Sequence, residues 1–361
     1  MQKDLQFIKT RANFIRHSFI EEMEKHLLAF ESSISSKHIK VQWIVDEEEL
    51  GEALLSNLPK KHFNKVSFDL SKIPEIILQN NSLVKIVSIN DFENSGEIAD
   101  LLVVEADFGI VETGSVVLID KKSKNLFNKV SNLVIILDIN KLLIRQNDLD
   151  TILHLKYLNK QPNPFPNDIK IISSPIQRII KEAFHSSFNS SYSKENVNIE
   201  VYLYDNGKTK ILENNFLREA LYCIDCGNCK SVCPVYSITN KFSPIDLIKN
   251  NCHAENLRNQ NIFQNTTMCG NCNEVCPVQI PFTDLLIAEM ELANGKSYRE
   301  NSNDLMKVFS KRNKMNKKSN QIGRYLFIRK YFSKNKKLYK YFLDQKDPFF
   351  NILHSTPKTN Q

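Results

Sequence analysis

All eight cysteines of this 361-residue chain fall between Cys223 and Cys276. Four of them form one short run, Cys223-Ile224-Asp225-Cys226-Gly227-Asn228-Cys229-Lys230-Ser231-Val232-Cys233-Pro234, and the partial copy Cys269-Gly270-Asn271-Cys272-Asn273-Glu274-Val275-Cys276-Pro277 repeats its second half. Thiolates two residues apart can wrap a tight loop around one face of an iron–sulfur cubane. Amide hydrogens of such a loop can point at the sulfurs and stabilise their negative charge, and Gly227 lets the backbone come close. So tight a clustering of thiols, in a chain with no disulfide-like spread, points to metal rather than to structural disulfides.

The first motif is the C-x2-C-x2-C-x3-C-P run of bacterial ferredoxins. In that arrangement the fourth cysteine lies too far along the chain to close its own cube, so it joins the other one. The rule assigns Cys223, Cys226, Cys229 and Cys276 to a first [4Fe–4S] cluster, and Cys233, Cys269 and Cys272 to a second. A full repeat would place the last ligand at position 266, where this chain has Thr266. Cys252 is the remaining thiol and completes the count of eight for two cubanes; its alternative is a buried free thiol. Structural zinc, the competing use of clustered cysteines, favours two C-x2-C pairs per ion and fits the triplet poorly.

These motifs must be held by a scaffold, and the flanking pattern turns helical on both sides: Phe216–Leu221 leads into the first motif, and Phe282–Ala293 follows the second. Residues 213–295 therefore read as a small helical domain carrying two [4Fe–4S] clusters. Upstream the pattern differs. Residues 1–30 read as an amphipathic helix, and from residue 39 short β-branched runs alternate with helical stretches. Ile39–Val45, Val66–Phe68, Val84–Val87, Leu101–Glu105, Gly114–Ile119, Val134–Leu137, Ile169–Ile172 and Val197–Tyr204 are the expected strands, with a helix over Glu48–Leu58 and a loop at Pro162, Pro164 and Pro166. Such alternation predicts an α/β domain with a largely parallel sheet over residues 1–210.

The net charge of +7 conceals a division. Residues 296–361 hold 17 lysines and arginines against 4 acids, leaving 31 against 37 in residues 1–295. Aromatics interleave with the basic residues of this tail, and short basic amphipathic helices around Ile328–Phe332 and Leu338–Phe342 are expected. Three uses suit it: a solvated tail, docking on an anionic membrane or acidic partner, and single-stranded nucleic acid, the last disfavoured by the acidic body. No apolar run reaches the length of a membrane span and no signal-peptide pattern opens the chain, so the expected location is the cytoplasm, with peripheral contact at the inner membrane face as the tail's function. Rossmann, phosphate-loop and nucleophile-triad signatures are missing from the sequence.

Leu217–Cys229 with Val232–Tyr236, and Met268–Val278 with Ile280-Pro281, resemble the iron–sulfur protein of bacterial lactate utilisation, the lactate utilization protein B family. The segment Ala106–Leu118, with Glu112-Thr113-Gly114 at its centre, resembles the LUD domain of that family, and Tyr204–Lys208 resembles that domain's closing strand and turn. Between the two motifs, Phe242–Asn265 replaces a Gly-rich stretch of the family. The resemblance implies a LUD domain, similar to CoA transferases and sugar-phosphate isomerases, followed by a dicluster ferredoxin domain. It implies a non-catalytic electron-transfer subunit of an L-lactate dehydrogenase complex. Its partners would be a second cysteine-rich iron–sulfur subunit and a further LUD-domain subunit; membrane docking by the basic tail would suit delivery of electrons to a quinone-linked acceptor. Glu112, Thr113 and Gly114 are a possible pocket; the competing reading makes them a turn whose acid caps its own loop. Two other functions stay open: a relay for a different dehydrogenase, and an iron–sulfur sensor or binding module using the basic tail.

Overall fold

The computed structural model describes residues 2–56, 58, 64–70, 84–90, 100–159, 165–182, 191–240, 242–251 and 266–294. The expected tail helices, Cys252, Pro162 and Pro164 lie outside the described residues. The chain divides between Thr209 and Lys210 into two compact units.

The first unit begins with helices α1 (Gln2–Glu21) and α2 (Met23–Ser35). The single expected helix is thus two, parted at Glu22, whose backbone leaves helical geometry at φ −120°. An apolar stripe runs on across the break, with Phe19, Met23, Leu27, Phe30 and Ile34 all buried. Next come β1 (Lys40–Ile44), α3 (Glu47–Ser56), β2 (Asn64–Asp69), β3 (Val84–Ile86) and β4 (Leu101–Glu105). They are followed by β5 (Phe108–Ile110), β6 (Ser115–Ile119), β7 (Asn132–Asp138) and β8 (Leu142–Leu143). Helix α4 (Asp148–Tyr157), β9 (Ile169–Ile172), β10 (Gln177–Glu182), β11 (Ser191–Asn196) and β12 (Asn198–Tyr204) complete the unit. A short helix, α5 (Lys208–Glu213), follows β12.

Six strands pair in the order β1-β12-β7-β4-β2-β3, every pairing parallel. All five residues of β4 are buried, as are Leu133–Leu137 of β7, so these strands are covered on both faces. On one face Leu50, Ala53 and Leu54 of α3 pack against Val66, Val103 and Ile136. That double burial explains why the central strands read as unbroken apolar runs.

A second sheet orders β8-β5-β6-β9, with β5–β6 and β6–β9 antiparallel and β5–β8 parallel. The two late strands expected from sequence therefore part company: β9 edges the small sheet, whereas β12 sits inside the large one. β10 and β11 form a separate antiparallel pair. Arg16 of α1, 1% exposed, donates to the carbonyls of Leu142 (2.8 Å) and Asn140, fixing α1 to the strand that opens the small sheet.

The expected strand at Gly114 starts one residue later because Gly114 ends the β5–β6 turn at φ +51°. A Cβ there would lie 2.6 Å from the Ser33 carbonyl carbon and 2.7 Å from the Ile34 nitrogen of α2. Both backbone conformation and space require glycine. Gly114→Ala is expected to destabilise this unit by about 2–4 kcal/mol, adding left-handed strain to a backbone clash. Urea unfolding followed by far-UV circular dichroism measures it; an unchanged midpoint would show that α2 yields freely at its C-terminus.

Candidate iron–sulfur site

The second unit is helical. A 3-10 turn at Arg218–Tyr222 buries Ala220, Leu221 and Tyr222 just before Cys223. Helices α6 (Asn228–Ser231), α7 (Pro234–Thr239), α8 (Pro244–Asn251), α9 (Asn271–Val275) and α10 (Phe282–Asn294) follow. α8 and α10 enclose a core that includes Ile248, Phe282, Leu285 and Leu286. The helical flanks expected from sequence are present, with the first one tightened into 3-10 geometry.

The two cysteine loops share one backbone conformation. Asp225 and Met268 stand at φ +56° and +54°, and Gly227 and Gly270 both at φ +80°. Cys233 and Cys276 are extended, at ψ 114° and 118°, each followed by proline. A Cβ on Gly227 or Gly270 would meet no protein atom within 4 Å, so it is the left-handed backbone that selects glycine here. α6 and α9 start immediately after these glycines and put Cys229 and Cys272 in buried positions. The Asn228 side chain donates to the Val275 carbonyl at 3.5 Å, linking one loop to the other. The Asn273 side chain ties the second loop to α10, donating to Thr283 Oγ1 (2.8 Å) and accepting from the Thr283 N–H (3.2 Å).

None of the seven described cysteines is in a disulfide. Three receive backbone N–H groups on sulfur at 3.4 Å: Cys223 from Asp225, Cys233 from Tyr236 and Cys276 from Ile280. Such donors favour the thiolate form. Burial opposes it, and burial is the larger effect. It raises the Cys226 and Cys272 thiols to about 12 and Cys276 to about 11, and raises Cys229 and Cys233 as well.

Backbone donors come next for Cys226, Cys233 and Cys276 and neighbouring thiols for Cys229 and Cys272; the identity of those neighbours groups the cysteines. Cys226 is raised further by Cys223 and Cys276, and Cys276 by Cys223. Cys229 is raised by Cys223, Cys226 and Cys276 and last by Cys272. Separately, Cys272 is raised by Cys269 and Cys233, and Cys233 by Cys269. The chain thus gathers Cys223, Cys226, Cys229 and Cys276 in one place and Cys233, Cys269 and Cys272 in another, each set drawing a cysteine from the other motif. Among the described residues no three His, Cys, Asp or Glu side chains converge tightly enough to hold a single ion. A cubane takes its thiolates at separate corners, and two such groups of thiols suit it. The three-cysteine set borders a small recess, partly open to solvent, together with Thr266, Gly270 and Thr283.

The possible pocket in the first unit is a hairpin turn. Glu112 is exposed and accepts the Gln146 N–H at 3.0 Å; the Thr113 hydroxyl meets that of Ser115, and the Thr113 carbonyl accepts from Lys37. What sequence reasoning missed is the row of acids at the carboxyl ends of the parallel strands. Asp69 accepts the N–H and hydroxyl of Ser123, both at 2.8 Å. Glu105 pairs with Lys141 (3.1 Å), Asp138 with Lys208 (2.9 Å), and Asp205 accepts from Thr209 (2.6 Å). The only sequence signal for this row was an acid closing each apolar run.

Among known protein families, the 4Fe-4S dicluster domain matches residues 219–280, the stretch that holds both loops. A crystal structure of a DUF162 family protein from Deinococcus radiodurans covers 50% of this chain and 98% of its own, at 12% identity and a TM-score of 0.32, a likeness too slight to build on. Curated protein sequences give no match. The second unit contains a 4Fe-4S dicluster domain, with the iron–sulfur and metal-binding character that this carries.

Because burial raises Cys226, Cys229, Cys233, Cys272 and Cys276, cluster loading has to displace protons from them. Raising pH supplies thiolate and so favours loading. In anaerobic reconstitution with iron and sulfide, the loaded fraction is expected to climb several-fold from about pH 7 to about pH 9, read from visible absorbance. A flat profile would mean the thiols are already ionised before iron arrives.

Proposed function

We propose that this chain is the iron–sulfur electron-transfer subunit of an L-lactate-oxidising complex. Cys223, Cys226, Cys229 and Cys276 would hold one [4Fe–4S] cluster, and Cys233, Cys269 and Cys272 would hold most of a second. The sorting of seven thiols into two sets, with Cys276 and Cys233 exchanged between motifs, is the observation that carries this reading. Clusters of this kind pass one electron at a time, so a pair can divide a two-electron oxidation into single steps. The chain's part is ligation, burial and the N–H groups of Asp225, Tyr236 and Ile280 aimed at sulfur.

The first unit acts as a scaffold rather than as a catalyst. Internal partners already engage the acids at the carboxyl edge of its sheet, the edge where open α/β sheets bind ligands. Lactate and the partner subunits follow from the resemblance of the Glu112 segment and both cysteine motifs to lactate utilization protein B. The basic residues of 296–361 suit an acidic partner or an anionic membrane. No described helix is long and apolar enough to cross a membrane.

Oxygen-free purification should yield brown protein with two clusters by iron, sulfide and EPR quantitation. Cys229→Ser should remove the first cluster's signal while sparing the second, and colourless protein containing zinc would end the proposal. Mixed with its partner subunits, the chain should support L-lactate-dependent dye reduction. Reduction by another substrate alone would leave the relay and remove lactate.

A further inference from the structure

We infer that the second cluster site is a three-thiolate site whose fourth corner faces the Thr266 hydroxyl. The inference rests on the two-cluster reading above and deepens it. In the first loop the Asp225 N–H donates to Cys223 Sγ at 3.4 Å; in the second the Met268 N–H donates to Thr266 Oγ1 at 3.1 Å. The two donors share the same unusual backbone, at φ +56° and +54°, and each acceptor stands two residues before its donor. Thr266 therefore occupies the place that Cys223 holds in the first loop. It borders the same recess as Cys233, Cys269 and Cys272.

Chemistry makes this substitution consequential. A threonine hydroxyl is neutral at ordinary pH and a harder, weaker partner for iron than a thiolate. It can offer the corner an oxygen or orient a water there, but it cannot anchor iron as Cys223 does. The second site should then hold one iron less firmly than the other three. Cys252 competes for this corner, and the two possibilities give opposite results on substitution.

The test uses the full chain purified without oxygen and treated with ferricyanide. Ferricyanide accepts one electron from the four-iron cluster, one Fe²⁺ leaves, and a three-iron cluster remains on Cys233, Cys269 and Cys272. Wild type should release one iron per chain and develop the EPR signal of an oxidised three-iron cluster. Thr266→Cys should keep its iron and lose that signal, and Cys252→Ser should behave as wild type. Should Thr266→Cys not accumulate as folded protein, Cys252→Ser decides alone. Loss of the second cluster in Cys252→Ser, or a wild-type site that keeps its full iron through oxidation, overturns the assignment of the corner to Thr266 and leaves the two-cluster reading standing. Protein that binds no iron at all overturns both.

Discussion

Seven buried or half-buried thiols in a small helical unit pose an electrostatic problem that only a polycationic guest can solve. As thiols they are inert hydrophobes; as thiolates, close together in a poorly solvated interior, they would repel one another strongly. Burial accordingly pushes Cys226, Cys229, Cys233, Cys272 and Cys276 up, with Cys226 and Cys272 reaching about 12, and mutual repulsion adds to the effect. Iron reverses the balance by giving each sulfur a metal–thiolate bond in place of its proton. The geometry that gathers these thiols thus has little purpose without a metal cluster to occupy it.

Interlocking follows from the same constraint. A short loop can present three thiolates to one face of a cube, but it cannot fold back far enough to close it. Proline follows both Cys233 and Cys276, and Pro234 opens helix α7 directly after its cysteine. The Asn228 contact with Val275 holds the loops in register. Neither set is complete without the other motif, so the two loops must form together.

The first unit solves a different problem. A parallel sheet covered on both faces brings acids to its carboxyl edge, where Glu105 is buried and Asp69, Asp138 and Asp205 are partly exposed. Lys141 and Lys208, themselves buried, answer Glu105 and Asp138. Such pairs add little net stability but specify one arrangement, because removing either member strands a charge.

How much of this was legible beforehand depends on the range of the interactions. The cysteine spacing, the crossover rule and the helical flanks are local properties, and they settled the cofactor class and the loops that bear it. The alternation of apolar runs likewise determined an α/β unit with a parallel sheet, because doubly buried strands leave uninterrupted hydrophobic stretches. The tertiary structure decided what depends on distant partners. It separated β9 from β12 into different sheets, though both read alike as apolar strands. It showed Gly114 to be fixed by the backbone of α2, far earlier in the chain. Repeat spacing alone aligned Thr266 with Cys223; the structure added that Thr266 accepts a backbone N–H from Met268 much as Cys223 does from Asp225.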